Sequence, residues 1–143
     1  MEEQVAEPFE LPIERGKVQE FARAVGARDP QHYLKEGAVS PTTFLMTAQF
    51  WQGPQHRVWP AGRDMSRVLH ASQEFVFPKG PPRAGDRLSG LQRIEDSYTK
   101  EGKRGGMMTF TVMVSEYRDE AGNLVAEVRN TLVETSKSTG AGT

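Results

Sequence analysis

Few side chains in this sequence could carry out chemistry. There are three histidines and no cysteine, so the chain offers no thiolate nucleophile, no disulfide framework and no cysteine-based zinc site. His32, His56 and His70 lack the spacing of metal ligands, and we expect no metal site. A loop holds Asp29 and His32, a carboxylate and an imidazole that can act as acid or base. Each also has a structural explanation, because Asp29 can bond its own backbone before Pro30 and His32 can be an ordinary hydrogen-bonded residue.

The second candidate is the first turn of a predicted central helix, Val39–Trp51. Ser40 can cap this helix, and Pro41 suits its first position. The apolar residues behind them cover most of the helix circumference, which is typical of a helix buried on nearly every side. These residues are Phe44, Leu45, Met46, Ala48, Phe50 and Trp51. At the start of a buried helix, here around Thr42 and Thr43, unpaired N–H groups and the helix dipole can stabilise developing negative charge.

A strand and a helix are predicted before the central helix. Apolar residues alternate with polar or turn residues over Phe9–Ile13, which predicts a short strand, and Pro12 places it at the edge or end of a sheet. Apolar residues spaced i, i+3, i+4 and i+7 predict an amphipathic helix over Glu14–Val25. Gly26 is placed to end that helix in the left-handed conformation.

From Val68 onward the sequence predicts strands. After the first of these, strands are predicted over Arg87–Tyr98, from Met107 to Ser115 and over Leu124–Glu134, with a hairpin turn at 119–123. Successive strands joined by short turns predict an antiparallel meander. We therefore expect an α+β fold in which an antiparallel sheet wraps around the central helix. One domain over residues 9–134 is expected, with a flexible N-terminus over 1–8 and a disordered tail over 135–143.

The charge balance limits the classes of partner. The chain has 18 basic and 19 acidic residues and a formal net charge of -1, which argues against a nucleic-acid or membrane-surface binder. The acidic N-terminus has no apolar run that would make it a signal peptide. No stretch approaches the roughly 18 apolar residues of a membrane span. We expect a cytoplasmic protein.

Several segments carry a likeness to a known family when they are taken in order along the chain. They are Glu14–Gly26, the loop with Pro30 and His32, Ser40–Phe44, His70–Phe75, Arg83–Asp86 and Gly106–Phe110. Together they resemble the MaoC-like hot-dog dehydratases, in particular their N-terminal dehydratase branch, over roughly residues 8–134. The resemblance implies a hot-dog fold paired with a second hot-dog unit. It also implies an (R)-specific enoyl-CoA hydratase or 3-hydroxyacyl dehydratase type of activity, which adds water reversibly to an enoyl thioester. No cofactor is implied beyond the coenzyme A or acyl carrier protein that carries the substrate.

The resemblance also shows where this sequence departs from the family. The family's catalytic loop reads Gly-Asp-x-Asn-Pro-x-His, and here residues 26–32 read Gly-Ala-Arg-Asp-Pro-Gln-His. His32 matches the catalytic histidine, Ala27 replaces the catalytic aspartate, and Asp29 stands where the family has asparagine. An alanine can neither take nor give a proton. The resemblance therefore implies either a site that uses His32 with a re-aimed Asp29, or a chain that has lost its activity.

The first turn of the central helix departs in the same way. Active relatives place a His-Gly pair there, with the glycine N–H near the thioester oxygen, which would make Thr42 and Thr43 the oxyanion region of this chain. Pro41 removes a donor, and the side chain of Thr42 narrows the approach. Some family members are pairs of one catalytic and one degenerate half. This chain resembles the degenerate half, as a homodimer or as a heteromer with a second MaoC-like chain.

The basic cluster of Lys100, Lys103 and Arg104 could contact the phosphates of coenzyme A or an acidic carrier protein. A solvated hairpin loop explains these residues equally well. Two other functions stay open. The first is a non-enzymatic acyl-thioester binder or scaffold subunit, which the missing aspartate favours. The second is a hot-dog thioesterase, which is least favoured because it needs a carboxylate on or beside the central helix, where the sequence offers only Gln49.

Overall fold

A computed structural model describes residues 5–58, 62–104 and 106–136 of the chain. Within these ranges lie one α-helix and five strands. They are β1 (Phe9–Pro12), α1 (Arg15–Ala24), β2 (Val68–Val76), β3 (Arg87–Glu101), β4 (Met107–Arg118) and β5 (Leu124–Glu134). Among the short 3₁₀ helices, we refer to Pro30–Leu34 as the loop helix and to Phe44–Trp51 as the central helix. The first part of the predicted flexible N-terminus (1–4) and most of the predicted tail (137–143) lie outside the described residues.

The five strands form a single antiparallel sheet in the order β1-β3-β4-β5-β2. The predicted meander of β3, β4 and β5 is therefore confirmed, and β5 has the predicted bounds. β1 is an edge strand and ends at Pro12, as expected. β3 continues beyond its predicted end to Glu101, because residues 99–101 pair with residues 107–109 of β4. At the other edge of the sheet lies β2.

Helix α1 packs against the core through Val18 and Ala22, which are fully buried, and the ring of Phe21 contacts Phe44 edge-on at 5.7 Å. The helix ends one residue before its predicted end, and Val25 is 54% exposed. Gly26 takes the predicted left-handed conformation, with φ +74°. This turn directs the chain away from α1 and into the loop helix.

The central helix differs from the prediction in its start, its type and its burial. Ser40 does not cap it, because its hydroxyl donates to the Pro82 carbonyl oxygen at 2.7 Å, and the helix begins at Phe44. Its three-residue period aligns Phe44 with Thr47 and Leu45 with Ala48, and these four side chains are buried. The third row is exposed, with Met46 44% accessible, and Phe50 near the C-terminus is 68% accessible. The helix packs against the sheet on one side only, so the side chains on its other side stay exposed.

Phe44, Leu45 and Ala48 pack on residues from β1, β3, β4 and β5 to form the core. The central helix therefore lies over one end of the sheet, near the turn between β4 and β5. No helix of the described residues is long and apolar enough to cross a membrane.

Candidate functional site

The loop that carries Asp29 and His32 continues directly from α1. The Ala27 N–H donates to the Ala22 carbonyl at 2.9 Å, so Ala27 caps the end of the helix. Asp29 precedes the loop helix, and its own carbonyl accepts the His32 N–H at 3.1 Å. The Asp29 carboxylate is exposed and does not cap the loop helix. The Asp29 backbone thus forms the turn, and its carboxylate projects from it.

His32 is exposed on the loop helix. Its ring meets the Tyr33 ring edge-on, with the ring centroids 5.4 Å apart, and Tyr33 packs against the core. No described residue forms a hydrogen bond with the His32 imidazole. The side chain is therefore held by one aromatic contact and is accessible to a ligand or to a second chain.

Thr42 and Thr43 stand immediately before the central helix, and both are exposed. The preceding segment is fixed to a neighbouring loop, since the Ser40 N–H donates to Pro82 O at 2.9 Å and the Ala84 N–H donates to Ala38 O at 2.8 Å. Neither threonine N–H donates to another described residue. This short segment thus has a fixed position and two backbone donors without a partner in the described part of the chain.

The two candidate segments share α1 as their support. The loop helix packs on α1, and Phe21 of α1 contacts Phe44 at the start of the central helix. No hydrogen bond among the described residues joins Asp29 or His32 to Thr42 or Thr43. The structure therefore places both segments against one helix without connecting them.

The basic cluster lies elsewhere. The Lys100 ammonium stands 5.6 Å from the centroid of Tyr98 and 5.9 Å from that of Phe110, two rings that stack 5.0 Å apart. Lys103 and Arg104 are exposed in the turn after β3. At about 3.3 Å per residue, eight strand residues separate Lys100 by roughly 25 Å from Gln92, which faces the central helix. A cation–π contact accounts for the position of Lys100.

A cavity of about 310 Å³ lies between the central helix and the sheet. Its apolar walls come from the helix, from Val58 and from the strands, and include Leu45, Ala48, Val58, Met113, Tyr117 and Val128. Its polar lining consists of Gln49, Gln52, Arg57, Gln73, Gln92, Ser115 and Asn130. This cavity was not predicted from the sequence. The available signal was an amide side chain inside each of the strands β2, β3 and β5, where an apolar residue is usual.

Some of these polar groups are already paired. The Val58 N–H donates to Gln92 Oε1 at 2.7 Å, and Gln92 Nε2 donates to Ser115 Oγ at 3.4 Å. Burial raises the pKa of Tyr117 well above its usual 10, which keeps its phenol neutral. By contrast, Gln73 Nε2 and Asn130 Oδ1 are buried and have no hydrogen-bond partner among the described residues. The lining therefore includes one buried donor and one buried acceptor without a partner among the described residues.

The cavity has no acid–base pair of its own. No histidine, aspartate or glutamate of the described residues lines it, and neither Asp29 nor His32 reaches it. The described residues also contain no group of three or more His, Asp or Glu side chains that could hold a metal ion. The cavity can bind a ligand by shape and hydrogen bonds, but it offers no group that would transfer a proton near neutral pH.

In a comparison with known proteins, residues 3–128 match the family model described as the FAS1-like dehydratase domain region. A UPF0336 protein of Streptomyces avermitilis is 33% identical over 136 residues, which cover 89% of this chain and 85% of that protein.

Two solved structures are similar over nearly their whole length. One is the C-terminally truncated HadBC complex of Mycobacterium tuberculosis, a 3R-hydroxyacyl-ACP dehydratase, with 26% identity, a TM-score of 0.67 and coverage of 92% of this chain and 95% of that chain. The other is the ChsH1-ChsH2 complex of Mycobacterium tuberculosis, with 16% identity, a TM-score of 0.66 and coverage of 96% and 86%. At that identity, the second likeness shows the fold alone.

Proposed function

We propose a function for this chain from one premise, which is that it belongs to the FAS1-like dehydratase-region family and has the α+β hot-dog fold of the MaoC-like dehydratases. The chain acts on acyl thioesters as one subunit of a dehydratase or hydratase pair. It contributes an acyl-binding cavity and the fold of one half, and its own loop lacks the aspartate needed for reversible hydration of an enoyl thioester. The catalytic aspartate and histidine come from a second MaoC-like chain.

The observation that carries this proposal is the separation of binding from acid–base groups. The cavity under the central helix is lined by amides, hydroxyl groups and apolar side chains, together with Arg57, and by no carboxylate or imidazole of the described residues. The loop that should supply a base has Ala27, and its remaining candidates, Asp29 and His32, are both exposed. General acid–base groups contribute roughly 10² to 10⁴ in rate, so a subunit without them binds but turns over slowly.

Two exposed features support a partner chain. β2 forms one edge of the sheet with nine residues, and Leu69 and Val76 on it are 47% and 41% exposed. An edge strand with free backbone groups and apolar side chains is normally covered. The central helix exposes two further apolar side chains, Met46 in the lining of the cavity and Phe50, whose ring centroid lies 4.8 Å from Lys17 Nζ. The similar HadBC and ChsH1-ChsH2 structures are both complexes of two chains.

The substrate carrier is coenzyme A or an acyl carrier protein. In this proposal the thioester oxygen lies near the N–H groups of Thr42 and Thr43, which have no partner among the described residues. Lys103 and Arg104 are exposed cations that could meet phosphates of the carrier, whereas Lys100 is held over two rings.

The test is the loss of enoyl-thioester absorbance when the purified chain is added to crotonyl-CoA. We expect the chain alone to hydrate no faster than its His32→Ala variant, because Ala27 cannot act as a base. The double variant Ala27→Asp, Asp29→Asn restores the family's loop and should hydrate at least tenfold faster than the wild type. A matched control, Ala27→Arg with Arg28→Asp and Asp29→Asn, carries the same charges with the carboxylate one residue away and should not.

Hydration by the unmodified chain that disappears in His32→Ala would overturn the degenerate-subunit proposal and assign the base to Asp29. A second function, that of an acyl-thioester binder with no role in catalysis, is favoured by the absence of an acid–base group in the cavity. It is distinguished by the partner, since a catalytic partner chain should be more active with this chain than without it.

A further inference from the structure

The polar cavity under the central helix is the feature that the proposed chemistry leaves unexplained. We infer that it receives the distal end of the acyl chain and selects a chain that ends in a hydroxyl group over a plain alkyl chain. This inference rests on the proposed function, because it takes an acyl thioester as the ligand. It adds the identity of the acyl group and the two residues that recognise it, Gln73 and Asn130.

The first observation is the pairing of Gln73 with Asn130. They are directly opposite each other on the adjacent strands β2 and β5, so their side chains emerge side by side on the cavity wall. Gln73 Nε2 is an unpaired donor and Asn130 Oδ1 is an unpaired acceptor. Gln73 Oε1 lies 3.1 Å from His70 Nε2, which leaves its Nε2 for another group. A hydroxyl accepts from one and donates to the other, and a methyl group does neither.

Two other amides of the cavity wall bond within the protein, and the Gln49 amide is exposed on the central helix. Gln92 bonds Val58 N–H and Ser115, and Gln52 Nε2 donates to the His56 carbonyl at 3.4 Å. These amides fix the wall, while Gln73 Nε2 and Asn130 Oδ1 remain without partners among the described residues. The recognition element is therefore confined to one position of the sheet.

The charge of the lining lies at the end of the central helix. Among the described residues Arg57 is the only ionised residue of the lining, and its Nη2 donates to the carbonyls of Gln49 and Gln52, at 3.0 and 3.3 Å. These carbonyls are neutral, so Arg57 keeps its charge, whereas the amides of Gln73 and Asn130 are uncharged. The apolar walls, with Leu45 and Met113, suit methylene groups.

Size and access are consistent with a short chain. If each non-hydrogen atom takes about the 30 Å³ of a liquid water, a volume of about 310 Å³ holds roughly ten of them. In this structure Gln73 Nε2 and Asn130 Oδ1 are buried. The inference therefore requires each amide to rotate about its terminal torsion, which has a broad minimum, so that these atoms face the cavity.

The test is isothermal titration of the full chain with matched pairs of acyl-CoA esters. In each pair an ω-hydroxyacyl chain is compared with the alkyl chain in which methyl replaces the hydroxyl, for example 6-hydroxyhexanoyl-CoA with heptanoyl-CoA. The position of the thioester determines how far the acyl chain reaches into the cavity. Chains of four to eight carbons are therefore tested to find the length that brings the terminal hydroxyl to Gln73 and Asn130. We expect one length at which the hydroxyl ester binds at least tenfold more tightly than its alkyl partner.

The variants Gln73→Met and Asn130→Leu remove the hydrogen-bonding atoms with little change of shape. Each should abolish the preference by weakening the hydroxyl ester and leaving alkyl binding equal or stronger, which also shows that the variant is folded. Gln55→Met makes the same chemical change at an exposed position outside the cavity and should keep the preference.

Equal or tighter binding of the alkyl ester at every length overturns the inference and leaves the proposed function standing. A preference that survives in both cavity variants overturns the assignment to Gln73 and Asn130. A wild-type chain that binds no acyl-CoA of either kind overturns the proposed function, and the inference fails with it.

Discussion

At Gly90 the structure leaves no room for a larger side chain, so the effect of a substitution there on stability can be predicted. Gly90 lies on β3 opposite Phe9 of β1, and the aromatic rings of Phe9 and Tyr117 meet edge-on above it, 6.0 Å apart. A Cβ at residue 90 would stand 2.6 Å from Phe9 Cζ and 2.9 Å from Tyr117 Cε1. Both rings are buried, at 4% and 2% exposure, so neither has room to move aside. We predict that Gly90→Ala destabilises the fold.

The magnitude follows from two opposing terms. Overpacking a well-filled core costs about 1–3 kcal/mol. Replacing glycine by alanine in a strand returns about 0.5–1 kcal/mol, because the unfolded chain loses freedom, and Gly90 is not among the glycines with positive φ. The expected net loss is about 1–2 kcal/mol. The matched control is Gly16→Ala in α1, where nothing lies within 4 Å of the new Cβ and helix propensity should stabilise by about 0.5–1 kcal/mol.

The assay is urea unfolding followed by circular dichroism at one fixed protein concentration. Gly90→Ala should lower the midpoint and Gly16→Ala should raise it. In a Phe9→Leu background the smaller side chain makes room for the new methyl, so Gly90→Ala should cost at least about 0.5 kcal/mol less there. If Gly90→Ala is as stable as Gly16→Ala, or if Phe9→Leu gives no relief, the close approach of the Phe9 ring does not explain the glycine.

Two further predictions concern a charge and a buried hydroxyl. Glu95 accepts hydrogen bonds from Arg129, with Nη2–Oε1 at 3.0 Å, and this lowers the pKa of its carboxyl below 4.5. A pKa that is lower in the folded state stabilises the fold above about pH 4.5, and this contribution is lost as the pH falls through the folded value. Glu95→Gln should therefore destabilise the chain at pH 7 by at most about 1 kcal/mol in urea unfolding. An equal difference at about pH 3 would contradict the ion pair as the cause. Ser40→Ala removes the buried hydroxyl that donates to Pro82 O and should cost about 1 kcal/mol by the same assay. Ser89→Ala, at an exposed position of β3, should change little, and an equal loss for both would refute the role of the Ser40–Pro82 bond.

The sequence predicted the sheet better than the helix at its centre. Alternation and turn composition are local properties, and they placed β5 at its observed bounds and ordered β3, β4 and β5 correctly. The start of the central helix depends on a distant residue. Ser40 is a good cap by type, but its hydroxyl bonds Pro82, 42 positions along the chain. A local sequence pattern cannot show that the Ser40 hydroxyl bonds Pro82 instead of capping the helix.

The polar cavity was hidden for a similar reason. Whether a strand residue faces the helix or the solvent depends on register, and one bulge exchanges the two faces. The pairing of β2 with β5 shifts between His70 and Ser72, and that of β3 with β4 shifts between Ile94 and Asp96. The loop motif around Asp29 and His32 was visible because it is contiguous. Its resemblance to a catalytic loop could not say that both side chains are exposed and lie outside the cavity.

The amides of the cavity are of two kinds, those that make hydrogen bonds within the protein and those that leave a buried group unpaired. Gln92 makes two hydrogen bonds within the protein, so its burial needs no further explanation. Gln73 Nε2 and Asn130 Oδ1 make none among the described residues, and an unpaired buried polar group costs about 1–3 kcal/mol. A domain of this size is stable by only about 5–15 kcal/mol, so two such groups in one wall are a large expense for a scaffold. Buried polar groups without a hydrogen-bond partner are found most often at functional sites. The two amides therefore favour a recognition site over an accident of packing, and the same reasoning predicts that Gln73→Met with Asn130→Leu raises the unfolding midpoint of the unliganded chain while it removes the preference for the hydroxyl ester.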